Sequence, residues 1–274
     1  MLSRLFAPLI FVCAATSATA EIAPRFEALF KVLSINETVE IMRNEGLTYG
    51  STLRDDLFPG RGGEAWDSEV DRIYAYDAML EEVREGLARS LQDADVEAIT
   101  AYFQTDLGRE IIELELAARR ELADAEVEAR AQVFYRDMVL EQDSRIDLLE
   151  EFVIANDLVE ANVVGAMNSN FAFYKGLAKG KAEGFQISEA EMLEDVWSQE
   201  QDIRNETSDW IYGYLVMAYG PLKDEEVQAY VAFSRTEEGR AVNQALFDAF
   251  DPMFVEISYQ LGLAAARYMA GNDI

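Results

Sequence analysis

The sequence of 274 residues contains no histidine and one cysteine, Cys13. Cys13 lies in the N-terminal segment that is predicted below to be removed, so the mature chain would have neither residue type. The usual nucleophile–base pairs and thiol chemistry are then excluded, and zinc, copper and haem sites lose their common ligands. The glycines at 60, 62 and 63 are not followed by the Lys-Ser/Thr of a phosphate-binding loop, and no calcium-loop spacing occurs. The sequence therefore predicts no catalytic residues, no metal ligands and no cofactor.

Positive charge is also scarce. The chain has 23 Lys and Arg against 52 Asp and Glu, a net charge of −29. Such a surface repels nucleic acid, which we exclude as a partner, and favours solubility in a salty or crowded compartment. The acidic pairs at 55–56, 81–82 and 225–226 leave loose binding of Ca²⁺ or Mg²⁺ open, although such runs on helices are more often solvated faces.

Long apolar runs are absent except at the N terminus. Arg4 precedes the apolar run from Leu5 to Ala15, and Ala18-Thr19-Ala20 is a small-x-small cleavage site. Residues 1–20 are therefore predicted to be a secretory signal peptide, with a mature chain that begins at Glu21 and enters the periplasm. A membrane anchor is the alternative, but the run is shorter than the roughly 20 residues that a span needs. Cys13 leaves with the signal, so the mature chain has no thiol.

Only five prolines are present, and the composition is rich in Ala, Glu, Leu and Asp, which predicts an all-α fold. Apolar periodicity predicts a long helix over 65–89, a helix over 93–104 and another from Asp106 that can continue to Leu140. Ser188 and Glu191 have the spacing of a capping box and open a long helix toward Tyr219.

One stretch of the sequence occurs twice. Residues 91–109 (LQDADVEAITAYFQTDLGR) and 222–240 (LKDEEVQAYVAFSRTEEGR) agree at eight of nineteen positions, where unrelated segments would agree at about one. Shorter echoes join 36–40 to 156–160 and 71–76 to 209–214. We therefore predict two tandem repeated helical modules, residues 21–142 and 143–274, with the boundary at the polar break 141–143.

The repeated residues predict a helical corner. Thr105 and Thr236 fit the N-cap of the following helix, and Gly108 and Gly239 would let two helices pack closely. Arg109 and Arg240 would pair with a carboxylate or a carbonyl across the corner; a ligand-binding arginine is the alternative.

The repeated pattern is Ala-x-x-Ala-(Tyr/Phe)-x-x-Thr-x-x-Gly-Arg, after an acidic helix start. It resembles the core motif of the domain of unknown function 2059. The resemblance implies an all-helical protein exported by bacteria, mostly Gram-negative ones, and adds no catalytic residues. The second copy departs from an aromatic-pair pattern, because Ser234 stands where the first copy has Phe103.

Two pairs of tyrosines, Tyr74 with Tyr76 and Tyr212 with Tyr214, are spaced i, i+2. Both members of such a pair cannot face the core of one helix. The four side chains either pack between the modules or line an aromatic groove for a peptide, glycan or lipid-like ligand.

These observations favour a non-enzymatic periplasmic protein that binds a protein partner or an envelope component. One alternative is a glycan hydrolase that uses carboxylates alone, which requires two acids about 5–9 Å apart. Another is a purely structural or osmotic-adaptation role. The sequence leaves the ligand, the pathway and the oligomeric state open.

Overall fold

The computed structural model describes residues 23–181 and 188–270, which form thirteen α-helices and no strand. The predicted all-α class is confirmed, whereas the predicted signal peptide at 1–20 lies outside the described residues. The helices are α1 (Pro24–Val32), α2 (Ile35–Leu57), α3 (Gly63–Ile73), α4 (Tyr76–Ser90), α5 (Val96–Phe103), α6 (Asp106–Glu121), α7 (Ala125–Glu141), α8 (Arg145–Ala155), α9 (Leu158–Lys179), α10 (Glu189–Ser198), α11 (Glu200–Tyr219), α12 (Asp224–Ser234) and α13 (Glu237–Met269).

Each predicted long helix is divided in two. The helix predicted over 65–89 breaks after Ile73, where the Tyr74 side chain is buried against Gly46 of α2. The stretch 106–140 breaks before Asp124, whose carboxylate accepts a hydrogen bond of 2.8 Å from the Glu126 amide and caps α7. The capping box of Ser188 is present, but its helix α10 ends at Ser198. The predictions of uninterrupted helices over 65–89 and 188–219 are therefore wrong.

The buried side chains form two hydrophobic cores. The first core combines α1 to α5 with α13 and with Leu177 of α9, and the second combines α6, α7, α8, α11 and α12. At each repeated corner the chain changes core: from the first to the second between α5 and α6, and from the second to the first between α12 and α13. The helix after each repeated corner thus packs in the opposite core. Each core contains residues from before and after residue 142. The boundary between two modules at 141–143 therefore stays a prediction that rests on the repeated sequence.

The long helix α13 also packs closely along α9. A Cβ built on Gly176 would lie 2.7 Å from the backbone nitrogen of Leu263, and one on Gly262 would lie 3.1 Å from that of Leu177. Glycine at both positions lets the two backbones approach, which stabilises the crossing by contacts that a side chain would prevent.

The short echo between 36–40 and 156–160 does not join equivalent structural positions. Asn36 lies inside α2, whereas Asn156 precedes Asp157, the residue of positive φ before α9. Across the described ranges, none of the helices has the length and hydropathy that crossing a bilayer requires.

Candidate functional site

The repeated corners, residues 102–109 and 233–240, have the same hydrogen bonds. The hydroxyl of Thr105 accepts from the Gly108 amide at 3.0 Å and donates to the carbonyl of Tyr102 at 2.7 Å. In the second corner, the hydroxyl of Thr236 accepts from Gly239 at 3.0 Å and donates to Phe233 at 2.8 Å. Each threonine therefore caps the helix that follows it and closes the turn behind it.

Each corner arginine holds the same turn. One guanidinium nitrogen of Arg109 donates to the carbonyl of Gln104 at 2.5 Å, and another pairs with Asp106. Arg240 donates to the carbonyl of Arg235, the matching position. These partners lie within five residues, so the arginines stabilise their own corners.

Each corner glycine faces the preceding helix. A Cβ on Gly108 would lie 2.7 Å from the Cα of Phe103, and one on Gly239 would lie 2.8 Å from the Cα of Ser234. Both distances are too short for a real side chain, so the sharp turn requires glycine.

The two corners meet through matching residues. The rings of Tyr102 and Phe233, 131 positions apart in the chain, stack with centroids 3.6 Å apart and planes inclined by 3°. Beside this contact, Tyr230 lies 6.3 Å from Tyr102 and 4.9 Å from the ring of Phe152. The aromatic contact therefore joins the two cores at the corners.

Next to this contact is a cavity of about 280 Å³, here called the central cavity. Most of the side chains that line it are apolar or aromatic, with a few polar groups among them. They are Leu33, Phe103, Ile112, Glu115, Arg119, Phe152, Asn156, Leu158, Tyr214, Leu215, Tyr219, Tyr230, Phe233, Ser234, Gly239, Val242, Asn243, Leu246 and Phe247.

Glu115 of α6 is the acidic group of the central cavity. Its Oε1 accepts a hydrogen bond of 2.6 Å from the Tyr219 hydroxyl and a longer one, 3.4 Å, from the Tyr230 hydroxyl. Burial raises the pKa of the Glu115 carboxyl to about 7, and the two hydrogen bonds oppose that rise because they stabilise the charged form. The cavity therefore contains a carboxyl that changes charge near neutral pH.

Three pairs of lining residues are separated by the same 131 positions as the two corners. They are Phe103 and Ser234, Ile112 and Asn243, and Glu115 and Leu246. In the first pair, a small side chain replaces a large one, which leaves space. Ser234, the residue that departs from the motif, therefore lies in the wall of the central cavity.

A family model described as "Uncharacterized protein conserved in bacteria (DUF2059)" matches residues 77–137. Over these residues the chain is similar to the DUF2059 family. The predicted family is thus confirmed for a segment that runs from α4 into α7 and contains the first corner and Glu115. No curated protein and no solved structure matches the chain. The second corner lies outside the DUF2059 segment, so its membership stays a prediction.

The four tyrosines considered for an aromatic groove lie in separate places. Tyr74 is buried in the first core, and the Tyr76 hydroxyl lies 3.5 Å from the carbonyl of Asn36. Tyr212 stacks on Tyr135 of the DUF2059 segment, with centroids 4.7 Å apart. Of the four, Tyr214 lines the central cavity.

The cavity residues of the DUF2059 segment were not predicted as a site, although one signal was present. Glu115 follows Ile111 by four residues and precedes Ala118 by three, and both of these are buried. That spacing places Glu115 on the buried face of α6, where an acid is unexpected. Tyr219 and Tyr230, its two hydrogen-bond donors, carry no comparable signal because they are more than 100 residues away in sequence.

The central cavity is poor in acidic side chains. Of the described residues that line it, Glu115 alone is acidic, so the second carboxylate of a glycosidase is missing from this wall. Elsewhere within the described ranges, no three acidic side chains converge on a position that could hold a metal ion. What the cavity offers is a shaped apolar space with one acid and several aromatic faces.

Proposed function

We propose that this chain is a non-enzymatic binding protein of the bacterial envelope, which holds an envelope component in the central cavity. The observation that supports this proposal is the cavity itself, an apolar and aromatic space of about 280 Å³ with few polar groups, lying where the two cores meet. Its volume is close to the lower end of the roughly 300–1,000 Å³ of small-molecule sites, so the expected ligand is small.

Export through residues 1–20 is part of the proposal and rests on the signal-like sequence. We further propose that residues 21–142 and 143–274 are two copies of one module. Eight shared residues in nineteen support this, as do the matching hydrogen bonds of Thr105 and Thr236. In this proposal, α6 and α13 each pack in the core opposite to that of the helix before them. They thereby hold the two copies together and form the binding site between them.

Thermal unfolding of the mature chain with an envelope extract tests the binding proposal. A ligand of the native state raises the unfolding free energy by RT ln(1 + [L]/Kd). Ser234→Phe provides the matched control, because it restores the aromatic residue found at Phe103 and fills the cavity. A midpoint that rises in the wild type but not in Ser234→Phe supports the proposal. An unchanged midpoint, or equal rises in both proteins, contradicts it.

One observation favours a second function. A carboxyl with its pKa raised to about 7, as in Glu115, has the property required of the general acid in a glycan hydrolase. Release of soluble fragments from peptidoglycan, lost in Glu115→Gln, would establish that activity in place of binding. A structural or osmotic role predicts neither turnover nor a ligand-induced shift.

A further inference from the structure

We propose that the central cavity binds an organic cation, an ammonium group on a short apolar stem, with Glu115 as the counter-ion. This inference rests on the proposed binding function and gives its ligand a chemical class.

The charges in the cavity wall are unbalanced. Arg119 is the basic residue among the described lining residues, and it forms a bidentate salt bridge with Glu45. Its Nε and Nη2 donate to the two carboxylate oxygens of Glu45 at 3.0 and 2.8 Å. Glu115 has no basic partner among the described residues, and both of its hydrogen bonds reach Oε1. No donor from the described chain is bonded to Oε2. An ammonium group in the cavity would supply the missing charge and a donor for that oxygen.

The remaining polar groups of the wall also suit a donor ligand. The side-chain amide nitrogen of Asn156 donates to the carbonyl of Phe152 at 2.9 Å, and that of Asn243 donates to the carbonyl of Asn156 at 2.8 Å. Their amide nitrogens are thus engaged within the protein, while their side-chain oxygens remain acceptors. The hydroxyl of Tyr102, at the corner contact, is buried without a partner among the described residues.

Aromatic rings supply the rest of the expected environment. Phe103, Phe152 and Phe233 line the cavity together with the two tyrosines that donate to Glu115. The faces of such rings attract cations, by about 0.5–1 kcal/mol at exposed sites and more where water is excluded. The same rings pack well against an apolar stem. An anion would meet repulsion from Glu115 and gain nothing from the ring faces.

Packing of the corner does not require an acid at this position. The residue 131 positions later, in the helix after the second corner, is Leu246, which lines the same cavity. An apolar residue thus fits at the matching position, whereas the partly buried carboxyl of Glu115 carries a desolvation cost. A cationic ligand gives a physical reason for the acid, because it would offset that cost.

The charged or titratable groups that face Glu115 are Tyr102 from α5, Arg119 from α6, Tyr214 and Tyr219 from α11, and Tyr230 from α12. Burial raises the pKa of each of these tyrosines, that of Tyr102 to about 12, so they stay neutral below pH 9. Arg119 is paired with Glu45. The lining contributed by α8, α9 and α13 is apolar or amide. Glu115 is therefore the group in the cavity that titrates between pH 5 and 9.

The test measures binding of a matched probe series to the mature chain by isothermal calorimetry. The probes are primary amines with apolar stems (butylamine, hexylamine and 2-phenylethylamine), the alcohols of the same stems, and phenylacetate as the anion. The variants are Glu115→Gln, which keeps the shape and removes the charge, and Ser234→Phe, which fills the cavity. Glu110→Gln is the control, because Glu110 lies on the exposed face of the same helix.

We expect at least one amine to bind at pH 8, with the matched alcohol and phenylacetate about tenfold weaker or worse. Glu115→Gln and Ser234→Phe should each lose at least about tenfold in affinity, and Glu110→Gln should not. Binding to the wild type should be at least about tenfold weaker at pH 5.5 than at pH 8, because the protonated carboxyl cannot act as counter-ion.

Failure of this inference can be told apart from failure of the proposed function. If no amine binds, or if alcohols bind equally well and Glu115→Gln retains the affinity, the cationic ligand class is overturned. An extract-induced midpoint shift that Ser234→Phe abolishes would then leave the binding function standing with another ligand. If no amine binds and the extract causes no midpoint shift that Ser234→Phe abolishes, both proposals are overturned.

Discussion

The Glu115 carboxyl should make the stability of this protein depend on pH in a direction opposite to that of most acidic residues. Its pKa rises from the ordinary 4.5 to about 7 on folding, because burial disfavours the charged form. The folded state then holds the proton more tightly than the unfolded state. The associated stability is fully present below pH 4.5 and is lost as the pH rises through 7.

The size of this effect follows from the two pKa values. The difference between 4.5 and about 7 corresponds to about 3 kcal/mol of unfolding free energy, most of it between pH 5 and pH 8. That is a large part of the roughly 5–15 kcal/mol that stabilises a typical native protein. Replacement of Glu115 by Gln removes the titration and keeps the size of the side chain, so it isolates this contribution.

Urea unfolding of the wild type and Glu115→Gln, at intervals from pH 5 to 8.5 without added amine, measures the effect. The unfolding free energy of the variant minus that of the wild type should increase by about 2–3 kcal/mol across this range. The difference cancels the contributions of the other acids. Glu110→Gln should show a flat difference, since Glu110 is exposed on the same helix. A difference for Glu115→Gln that stays flat within about 0.5 kcal/mol would refute the reasoning.

Three further predictions concern the corners and the net charge. Gly239→Ala should lower the unfolding free energy in the same urea assay by about 1–3 kcal/mol, because the added Cβ would press on the backbone at Phe233. Gly213→Ala is the control: the atom nearest to its added Cβ would be 3.5 Å away, so this substitution should be neutral or stabilising. Thr105→Ala and Thr236→Ala should each cost about 1 kcal/mol through loss of the cap, and unequal costs would contradict the equivalence of the two corners. At pH 7, raising NaCl from about 0.01 M to 0.15 M should raise the midpoint of thermal unfolding, because the net charge of −29 repels itself less when screened; a midpoint that falls or stays constant would show that local ion pairs dominate.

The sequence alone determined the features that depend on near neighbours. A threonine three residues before a glycine sets the cap of α6 and of α13, because donor and acceptor lie within one turn of helix. The guanidinium of Arg109 likewise finds its partner five residues back. Composition and apolar periodicity were enough for the all-α class, since no alternating pattern competes with them.

Only the tertiary structure decided the break after Ile73 and what the buried face of α6 surrounds. At the end of α3, Tyr74 packs against Gly46 of α2, and no local residue marks the break. Helices α6 and α13 pack in opposite cores, and Glu115 forms hydrogen bonds with Tyr219 and Tyr230. These contacts join residues more than 100 positions apart. Such contacts depend on how whole helix faces fit together, which periodicity in a single helix does not specify. The central cavity therefore became visible only in the fold.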